Sequence, residues 1–181
     1  MARKKLQDKI KNILLIISDV DGVLTDGTIF IGTDGTEFKK FNVEDGTGVA
    51  FAHLASIPVV LISGRESKAT SIRAKELNIT HCYQGRLDKT SAYKEICDIY
   101  NIHPKNIAYI GDGLIDIPVM EKSGLAIAPK NAHQPVLDIS DYITDKSGGE
   151  GVLREVVELI LKNQNIYDSI LEKMKKKIYK T

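Results

Sequence analysis

The chain has 181 residues, and its 25 lysines and arginines nearly balance its 24 aspartates and glutamates, giving a formal net charge of +1. This length is enough for one domain with a substantial core, and the balanced charge gives no overall field that would favour a nucleic acid or a membrane. The only cysteines, Cys82 and Cys97, form no CxxC pattern. We therefore expect one domain, 1–181, with free thiols in the reducing cytoplasm and with neither a nucleic-acid nor a membrane partner.

The first strong signal is an aliphatic run, 13–17, that ends in two carboxylates, Asp19 and Asp21, followed at once by Gly22. Such a run is typical of a strand buried on both faces of a parallel sheet, and the carboxyl ends of parallel strands carry the ligand site. One carboxylate can bind a hard cation and attack an electrophile, while the other moves a proton. The alternative is two ordinary turn residues, since Asp and Gly are common in turns.

Two β-prone runs, 28–31 and 36–41, surround the Gly/Asp-rich stretch 32–35. This pattern predicts a β-hairpin inserted between the first strand and its helix. A hairpin at this edge is a small lid, an assembly surface or a surface decoration. A polar loop, 42–48, is predicted to lead into a helix over 49–56.

A second buried strand, 58–63, ends in Ser63 and Gly64 before a helix predicted over 66–77. A small hydroxyl and a glycine in front of a helix N-terminus can bind phosphate through the hydroxyl and backbone N–H groups. The same dipeptide is also common in ordinary turns, so this motif alone decides little.

After a short strand, 79–83, Asp88 is predicted to cap a helix that ends near Tyr100. Lys89 would then lie in the first helical turn, where the helix dipole disfavours a cation. A negative partner for Lys89 is therefore expected, although taken alone it is typical of a surface lysine.

A third strand end presents acids: the buried strand 107–111 is followed by Asp112 and, four residues on, by Asp116. Pro118 fits an early helical position. The remaining predicted elements are strands over 125–129 and 141–144, a flexible loop over 148–151, a helix over 152–161 and a final helix from 166. The lysine-rich end, 172–180, suits a solvated helix C-terminus, with a contact to an anion as the alternative.

The alternation of strands and helices predicts a mostly parallel, three-layer, Rossmann-like α/β fold. We expect a core over 11–162, the hairpin over 28–41 and a helical tail over 163–181. The strand ends would bring acids, a hydroxyl and a lysine to one edge of the sheet, which is far less probable by chance than any one motif.

With these motifs the chain resembles the haloacid dehalogenase superfamily of phosphatases. It is most similar to the capless subgroup, without a cap domain, that cleaves 3-deoxy-2-ulosonic acid phosphates such as 3-deoxy-D-manno-octulosonate 8-phosphate (KDO-8-phosphate). The resemblance covers roughly 13–161. Beyond the motifs above it rests on the sequences at 40–43, 83–85, 114–120 and 148–155.

The resemblance implies that Asp19 attacks phosphorus and becomes an aspartyl phosphate, while Asp21 protonates the leaving alcohol and then activates water. It implies Mg²⁺ held by Asp19, the backbone carbonyl of Asp21 and Asp112, an all-oxygen set that suits magnesium. Lys89 and Ser63 would offset the phosphate charge, and Asp116 would orient the metal site rather than bind. The implied substrate contacts are Asn42, Val43, Glu44, Asp45, Gly46, Gly64, Arg65, Arg73 and Lys89.

The resemblance also implies a homotetramer in which the hairpin joins subunits and a neighbour closes the active site. For Arg73, an exposed helix arginine without a substrate role is the alternative.

Two positions depart from the subgroup and leave alternatives open. Gly113 stands where a second acid is usual, so weakened or altered metal binding is expected, and a weakly active assembly protein is one hypothesis. Ala50 stands where KDO-8-phosphate enzymes tend to carry a basic residue, and 51–53 is more similar to relatives that act on nine-carbon, sialic-type acids. Arg65 favours the eight-carbon substrate.

Overall fold

The computed structural model describes residues 2–179, so Lys180 of the predicted lysine-rich end lies outside the described residues. The strands are β1 (Leu15–Ser18), β2 (Phe30–Ile31), β3 (Glu37–Phe38), β4 (Val59–Ile62), β5 (Cys82–Tyr83), β6 (Ile107–Ile110), β7 (Leu125–Ala128) and β8 (Tyr142–Ile143). The α-helices are α1 (Ala2–Lys11), α2 (Val43–Leu54), α3 (Lys68–Glu76), α4 (Thr90–Tyr100), α5 (Ile117–Met120), α6 (Gln134–Ile139), α7 (Val152–Asn163) and α8 (Tyr167–Tyr179). Short 3₁₀ helices span Pro104–Asn106 and Leu114–Asp116.

Six strands form one parallel sheet in the order β5-β4-β1-β6-β7-β8. The chain builds outward from β1 through β4 to β5, then returns to place β6, β7 and β8 on the other side. The direction therefore reverses between β1 and β6, and the crevice at such a switch point is where open α/β sheets bind ligands. The three-layer parallel α/β fold predicted from the sequence is confirmed.

The four central strands, β4, β1, β6 and β7, are fully buried and almost entirely apolar, whereas the edge strands β5 and β8 are only partly buried. Ile16 points into a core shared with α1, α2, α7 and α8, whereas Leu15 and Ile17 point into a second core beneath α4, α5 and α6. Because successive side chains of β1 point to opposite faces of the sheet, this one short strand contributes to both hydrophobic cores. None of the helices described between residues 2 and 179 is both long and apolar enough to traverse a bilayer.

The hairpin is confirmed as a separate two-stranded sheet, in which Phe30 of β2 lies opposite Phe38 of β3 in antiparallel register. Its strands are shorter than the predicted runs, and both of these phenylalanines and Ile31 are more than half exposed. A two-stranded ribbon is only marginally stable by itself, so its contacts with the parallel-sheet domain determine where it lies.

The strand predicted over 79–83 is shortened to β5, and two predicted helix starts are wrong because of their caps. The predicted polar loop 42–48 is the first half of α2, because Asn42 Oδ1 accepts the N–H of Glu44 at 2.9 Å and the acids of the first turn favour the positive helix end. The N-cap position of α4 is Lys89, not Asp88, although the Asp88 carboxylate still accepts the Thr90 N–H at 2.9 Å. Helices α1 and α6 were not predicted.

Candidate active site

The site lies at the carboxyl ends of β1, β4 and β6. Asp19 follows β1 directly, and its backbone N–H donates to the Ile110 carbonyl at 2.9 Å, so that Asp19 leaves the sheet beside Gly111. Ser63 follows β4, and Asp112 follows β6 across the switch point. The sheet thereby gathers at one edge residues that are distant in the sequence.

Three carboxylates meet at this edge. Asp19, Asp112 and Asp116 each offer one oxygen within 4.8 Å of the others. Lys89 joins two of them: its Nζ lies 2.9 Å from Asp19 Oδ2 and 2.7 Å from Asp116 Oδ1. The Lys89 side chain is fully buried, which a lysine tolerates only with such partners. The negative partner expected for Lys89 is therefore present twice.

The electrostatics of this cluster favour a divalent cation. Three carboxylates and one ammonium carry two net negative charges when all are ionised. Burial first, and the charge of Asp116 second, raise the pKa of Asp19 and raise that of Asp112 to about 6. Burial lowers the pKa of Lys89, but the charges of Asp19 and Asp116 outweigh it and raise the pKa overall. The carboxylate oxygens and the excess of acidic over basic groups suit Mg²⁺, a hard cation.

Asp116 is held by four donors and itself positions the cluster. Its Oδ1 accepts from Lys89 and, at 2.8 Å, from the Tyr109 hydroxyl, while its Oδ2 accepts the N–H groups of Asp112 and Gly113 at 3.2 and 3.0 Å. A carboxylate with every lone pair engaged suits the orienting role implied for it. Gly113 departs from the subgroup without breaking the cluster, because all three carboxylates come from other positions.

Asp21 is held by contacts that are separate from the three-carboxylate cluster. Its Oδ1 accepts from Lys39 Nζ at 2.6 Å, and its Oδ2 lies 3.5 Å from the Ser63 hydroxyl. The side chain of Asp21 stays 20% exposed, whereas that of Lys39 is fully buried. The two aspartates of the Asp19–Asp21 motif are therefore each held by their own lysine.

Close approaches at glycines bring the site loops together. A Cβ on Gly22, which has φ +92°, would lie 2.1 Å from Asp112 Oδ2, and a Cβ on Gly148 would lie 1.9 Å from the Gly22 carbonyl oxygen. Asn42 Nδ2 reaches the same loop and donates to the Gly149 carbonyl at 3.0 Å. These contacts let the loop at 148–149 and the start of α2 pack against the acidic motif.

The residues at the start of α2 that were predicted to contact the substrate differ in exposure and in their partners. Val43 is exposed, Glu44 pairs with Arg154, and Asp45 is buried, with Oδ1 accepting the N–H groups of Leu153 and Arg154 at the start of α7.

The predicted arginines are engaged within the chain. Arg73 donates to the Asn42 carbonyl at 3.0 Å, and Arg65 pairs with Glu37 at 2.8 Å. A Cβ on Gly64 would lie 2.7 Å from Ile115 Cδ1, while a Cβ on Gly46 would lie 3.5 Å from Arg73 Nη2. The substrate-binding roles of all these residues stay predictions.

Lys39 and Tyr109 were missed by the sequence reasoning. Lys39 directly precedes the stretch 40–43 that supported the resemblance, but a lysine after a short exposed strand gives no sign that its side chain folds inward. Tyr109 lies within a buried strand, where an aromatic residue is expected for packing alone. Only their distances to Asp21 and Asp116 connect them with the site.

Known proteins match both the fold and the sequence. A family model described as haloacid dehalogenase-like hydrolase matches residues 61–156. The 3-deoxy-D-manno-octulosonate 8-phosphate phosphatase of Escherichia coli strain K12 is 46% identical over 160 residues, which cover 88% of this chain and 85% of that protein.

Two crystal structures of phosphatases with this name are similar over most of both chains. The structure from Yersinia pestis has a TM-score of 0.89 and 44% identity, covering 91% of this chain and 89% of that one. The structure from Moraxella catarrhalis, in complex with a magnesium ion, a phosphate ion and a KDO molecule, has a TM-score of 0.91 and 40% identity, covering 94% and 98%.

The fold and the acidic site thus define a haloacid dehalogenase-like hydrolase, as the resemblance indicated. Within that class, this chain belongs to the family of the 3-deoxy-D-manno-octulosonate 8-phosphate phosphatases.

Proposed function

We propose that this chain is a Mg²⁺-dependent phosphatase that hydrolyses KDO-8-phosphate to KDO and phosphate. The similarity to phosphatases of that name over most of the chain supports the reaction and the substrate. One observation in the structure carries the proposal: Asp19 lies buried against Lys89 and beside Asp112, in a cluster of three carboxylates around a single ammonium.

Asp19 and Asp21 divide the chemistry between them. An Asp19 carboxylate oxygen attacks phosphorus, the bond from phosphorus to the sugar oxygen breaks, and Asp21 gives its proton to that oxygen. Asp21 then takes a proton from water, whose oxygen attacks the aspartyl phosphate, releasing phosphate and restoring Asp19. The Lys89 ammonium holds Asp19 in place, and the Ser63 hydroxyl lies near Asp21, where it can donate to the phosphoryl group.

The metal requirement follows from repulsion between anions. Asp19, Asp112 and the backbone carbonyl of Asp21 would hold Mg²⁺, which when bound would neutralise charge on the carboxylates and on the phosphoryl oxygens. Asp116 and Lys89 would keep the ligand oxygens in position through the contacts described above.

Phosphate release from a panel of sugar phosphates, with Mg²⁺ and with a chelator, tests the proposal. We expect rapid release from KDO-8-phosphate with Mg²⁺, almost none with the chelator, and almost none from Asp19→Asn, whose amide cannot act as the nucleophile. Substantial turnover by that variant would rule out the assigned nucleophile. If the wild-type chain turned over no sugar phosphate, the weakly active assembly protein would be favoured instead.

A nine-carbon ulosonate 9-phosphate is the second candidate substrate, and Ala50 favours it. The side chain of Ala50 lies one helical turn beyond Gly46 on α2, the helix whose first residues meet the site loops, and it adds no positive charge there. The ratio of kcat/KM for the two sugar phosphates decides between them. A preference for the eight-carbon sugar would eliminate this candidate.

The homotetramer and the cytoplasmic location are also part of the proposal. Phe30 and Phe38, which lie opposite each other on one face of the hairpin and are both more than half exposed, support assembly through β2 and β3. The free thiols of Cys82 and Cys97 suit a reducing compartment.

A further inference from the structure

Lys39 is a buried cation that the reaction described above does not use. It follows β3, and its side chain is fully buried. Its Nζ lies 2.6 Å from Asp21 Oδ1, 3.3 Å from Thr70 Oγ1 and 3.9 Å from Glu37 Oε1. Burying an ammonium is unfavourable unless it is paired and hydrogen-bonded, so these contacts fix where Lys39 lies.

The two carboxylate oxygens of Asp21 have different contacts. Oδ1 is occupied by the ammonium, whereas the described contact of Oδ2 is the distant Ser63 hydroxyl at 3.5 Å. Asp21 has to give a proton and then take one, so one of its oxygens has to stay open to the reactants. Its side chain is partly exposed while that of Lys39 is not, so Lys39 acts through Asp21 rather than on the substrate.

Lys39 is also tied to the hairpin that carries it. Glu37 of β3 accepts from Arg65 Nη2 at 2.8 Å and from Ser67 Oγ at 2.6 Å, and both donors lie in the loop after β4. Acidic and basic side chains therefore alternate in a row of contacts that runs from the site to the surface through Asp21, Lys39, Glu37 and Arg65. Where the hairpin docks therefore sets where Lys39, and with it Asp21, is held.

We infer that Lys39 is a positioning residue that holds Asp21 by Oδ1 and leaves Oδ2 as the oxygen that exchanges protons with the leaving group and with water. This rests on the proposed function, because it assigns an atom to a step of that reaction. Without Lys39 the carboxylate would rotate freely, and proton transfer to the leaving oxygen would lose its geometry.

A series of aryl phosphates with leaving groups of increasing basicity tests this role. A good leaving group such as p-nitrophenol needs no proton, whereas phenol does. In Lys39→Met we expect kcat/KM to fall by about tenfold to a hundredfold for the poorest leaving groups and by no more than about threefold for the best, within the range that general acid catalysis supplies. The plot of log kcat/KM against leaving-group basicity should steepen, as in Asp21→Asn.

A double-mutant comparison separates positioning from other roles. If Lys39 acts through Asp21, adding Lys39→Met to Asp21→Asn should cause no further loss of residual activity. Lys40→Met is the matched control, since the neighbouring Lys40 side chain is 70% exposed and pairs with Asp26 at 3.4 Å, and it should leave the slope unchanged. Should Lys39→Met unfold on heating well below the wild type, Lys39→Gln takes its place.

Two results would overturn the inference. One is an equal loss for every leaving group, which would mean that Lys39 only supports the fold or binds phosphate. The other is an undiminished effect of Lys39→Met in the Asp21→Asn background. The aryl phosphates report on phosphoryl transfer whichever sugar is the substrate, so failure of the wild type on KDO-8-phosphate would contradict the proposed function and leave this comparison intact.

Discussion

Asp45 is the one buried side chain in the described part of the chain with an unpaired polar atom, its Oδ2. Its Oδ1 accepts the first N–H groups of α7, so the residue acts as a helix cap supplied by a neighbouring helix. Burial raises the pKa of Asp45 to about 6, while the hydrogen bonds from the Arg154 and Leu153 N–H groups and the charge of Arg73 act in the opposite direction. The folded protein therefore carries a cost for ionising this carboxyl.

That cost predicts a pH dependence of the free energy of unfolding. A folded pKa of about 6 against an ordinary value of 3.8 means that the folded state binds more protons between these values. The contribution of Asp45 is therefore fully present below about pH 4 and is lost as the pH rises through about 6. The loss amounts to about 3 kcal/mol, at about 1.4 kcal/mol for each pKa unit.

Asp45→Asn keeps the Oδ1 acceptor and removes the ionisation. Urea unfolding between pH 4 and pH 7.5 should show the wild type losing stability relative to Asp45→Asn, with the loss spread over about pH 4 to 6 and little further change above about pH 6.5. The exposed Asp8→Asn is the control and should follow the wild-type curve. Parallel curves for the wild type and Asp45→Asn would contradict the account.

Among the elements, the hairpin depends most on contacts outside itself. Its ladder pairs only two residues on each strand, so Glu37 supplies much of its attachment through Arg65 and Ser67. Such weakly attached elements open locally well before the whole domain unfolds.

Removing the charge of Glu37 should loosen the hairpin. In Glu37→Gln we expect amide exchange over 29–38 to quicken by about fivefold to tenfold, consistent with loss of about 1 kcal/mol of local stability. A fall of kcat/KM for poor leaving groups should accompany it, because Lys39 moves with β3. Glu76→Gln is the control, since Glu76 forms a similar ion pair with Arg73 on α3 but is 64% exposed. Unchanged exchange in the hairpin would contradict the proposed attachment.

The elements also show what the sequence can predict. The four central strands, β1, β4, β6 and β7, were recognisable because each is almost entirely apolar, and a buried parallel strand needs little else. The start of α2 was not, because 42–48 is rich in turn-forming residues and the cap at Asn42 outweighs them. Asp19, Asp112 and Asp116 could be placed together because parallel strands end at one edge of the sheet. Lys39 reaches Asp21 because the hairpin packs against the domain, and no periodic pattern in the sequence indicates that contact.

At the scale of the whole molecule, the exposed hairpin face is the feature least suited to a lone subunit. Phe38 is 60% exposed and stands opposite Phe30, which is 55% exposed. Neighbouring exposed aromatic side chains mark an interaction surface. That residues 1–181 form a single domain, and that this domain assembles as a tetramer, both stay predictions.

Phe38→Glu tests the assembly, because forming the subunit contact would then bury a carboxylate that has no partner, which is energetically costly. Sedimentation velocity should show the wild type as a tetramer and Phe38→Glu largely as smaller species. The exposed Ile99→Glu on α4, away from the hairpin, is the control. A wild-type chain that sediments as a monomer would contradict the proposed tetramer without touching the chemistry of Asp19.

The central claim is that Asp19 itself takes up the phosphoryl group. Mass spectrometry of peptides from enzyme quenched in acid during turnover of KDO-8-phosphate with Mg²⁺ measures this directly. We predict one added phosphoryl group on the peptide that contains Asp19, absent when Mg²⁺ is chelated and absent in Asp19→Asn. Steady turnover with the phosphoryl group trapped on another residue, or on none, would contradict the account.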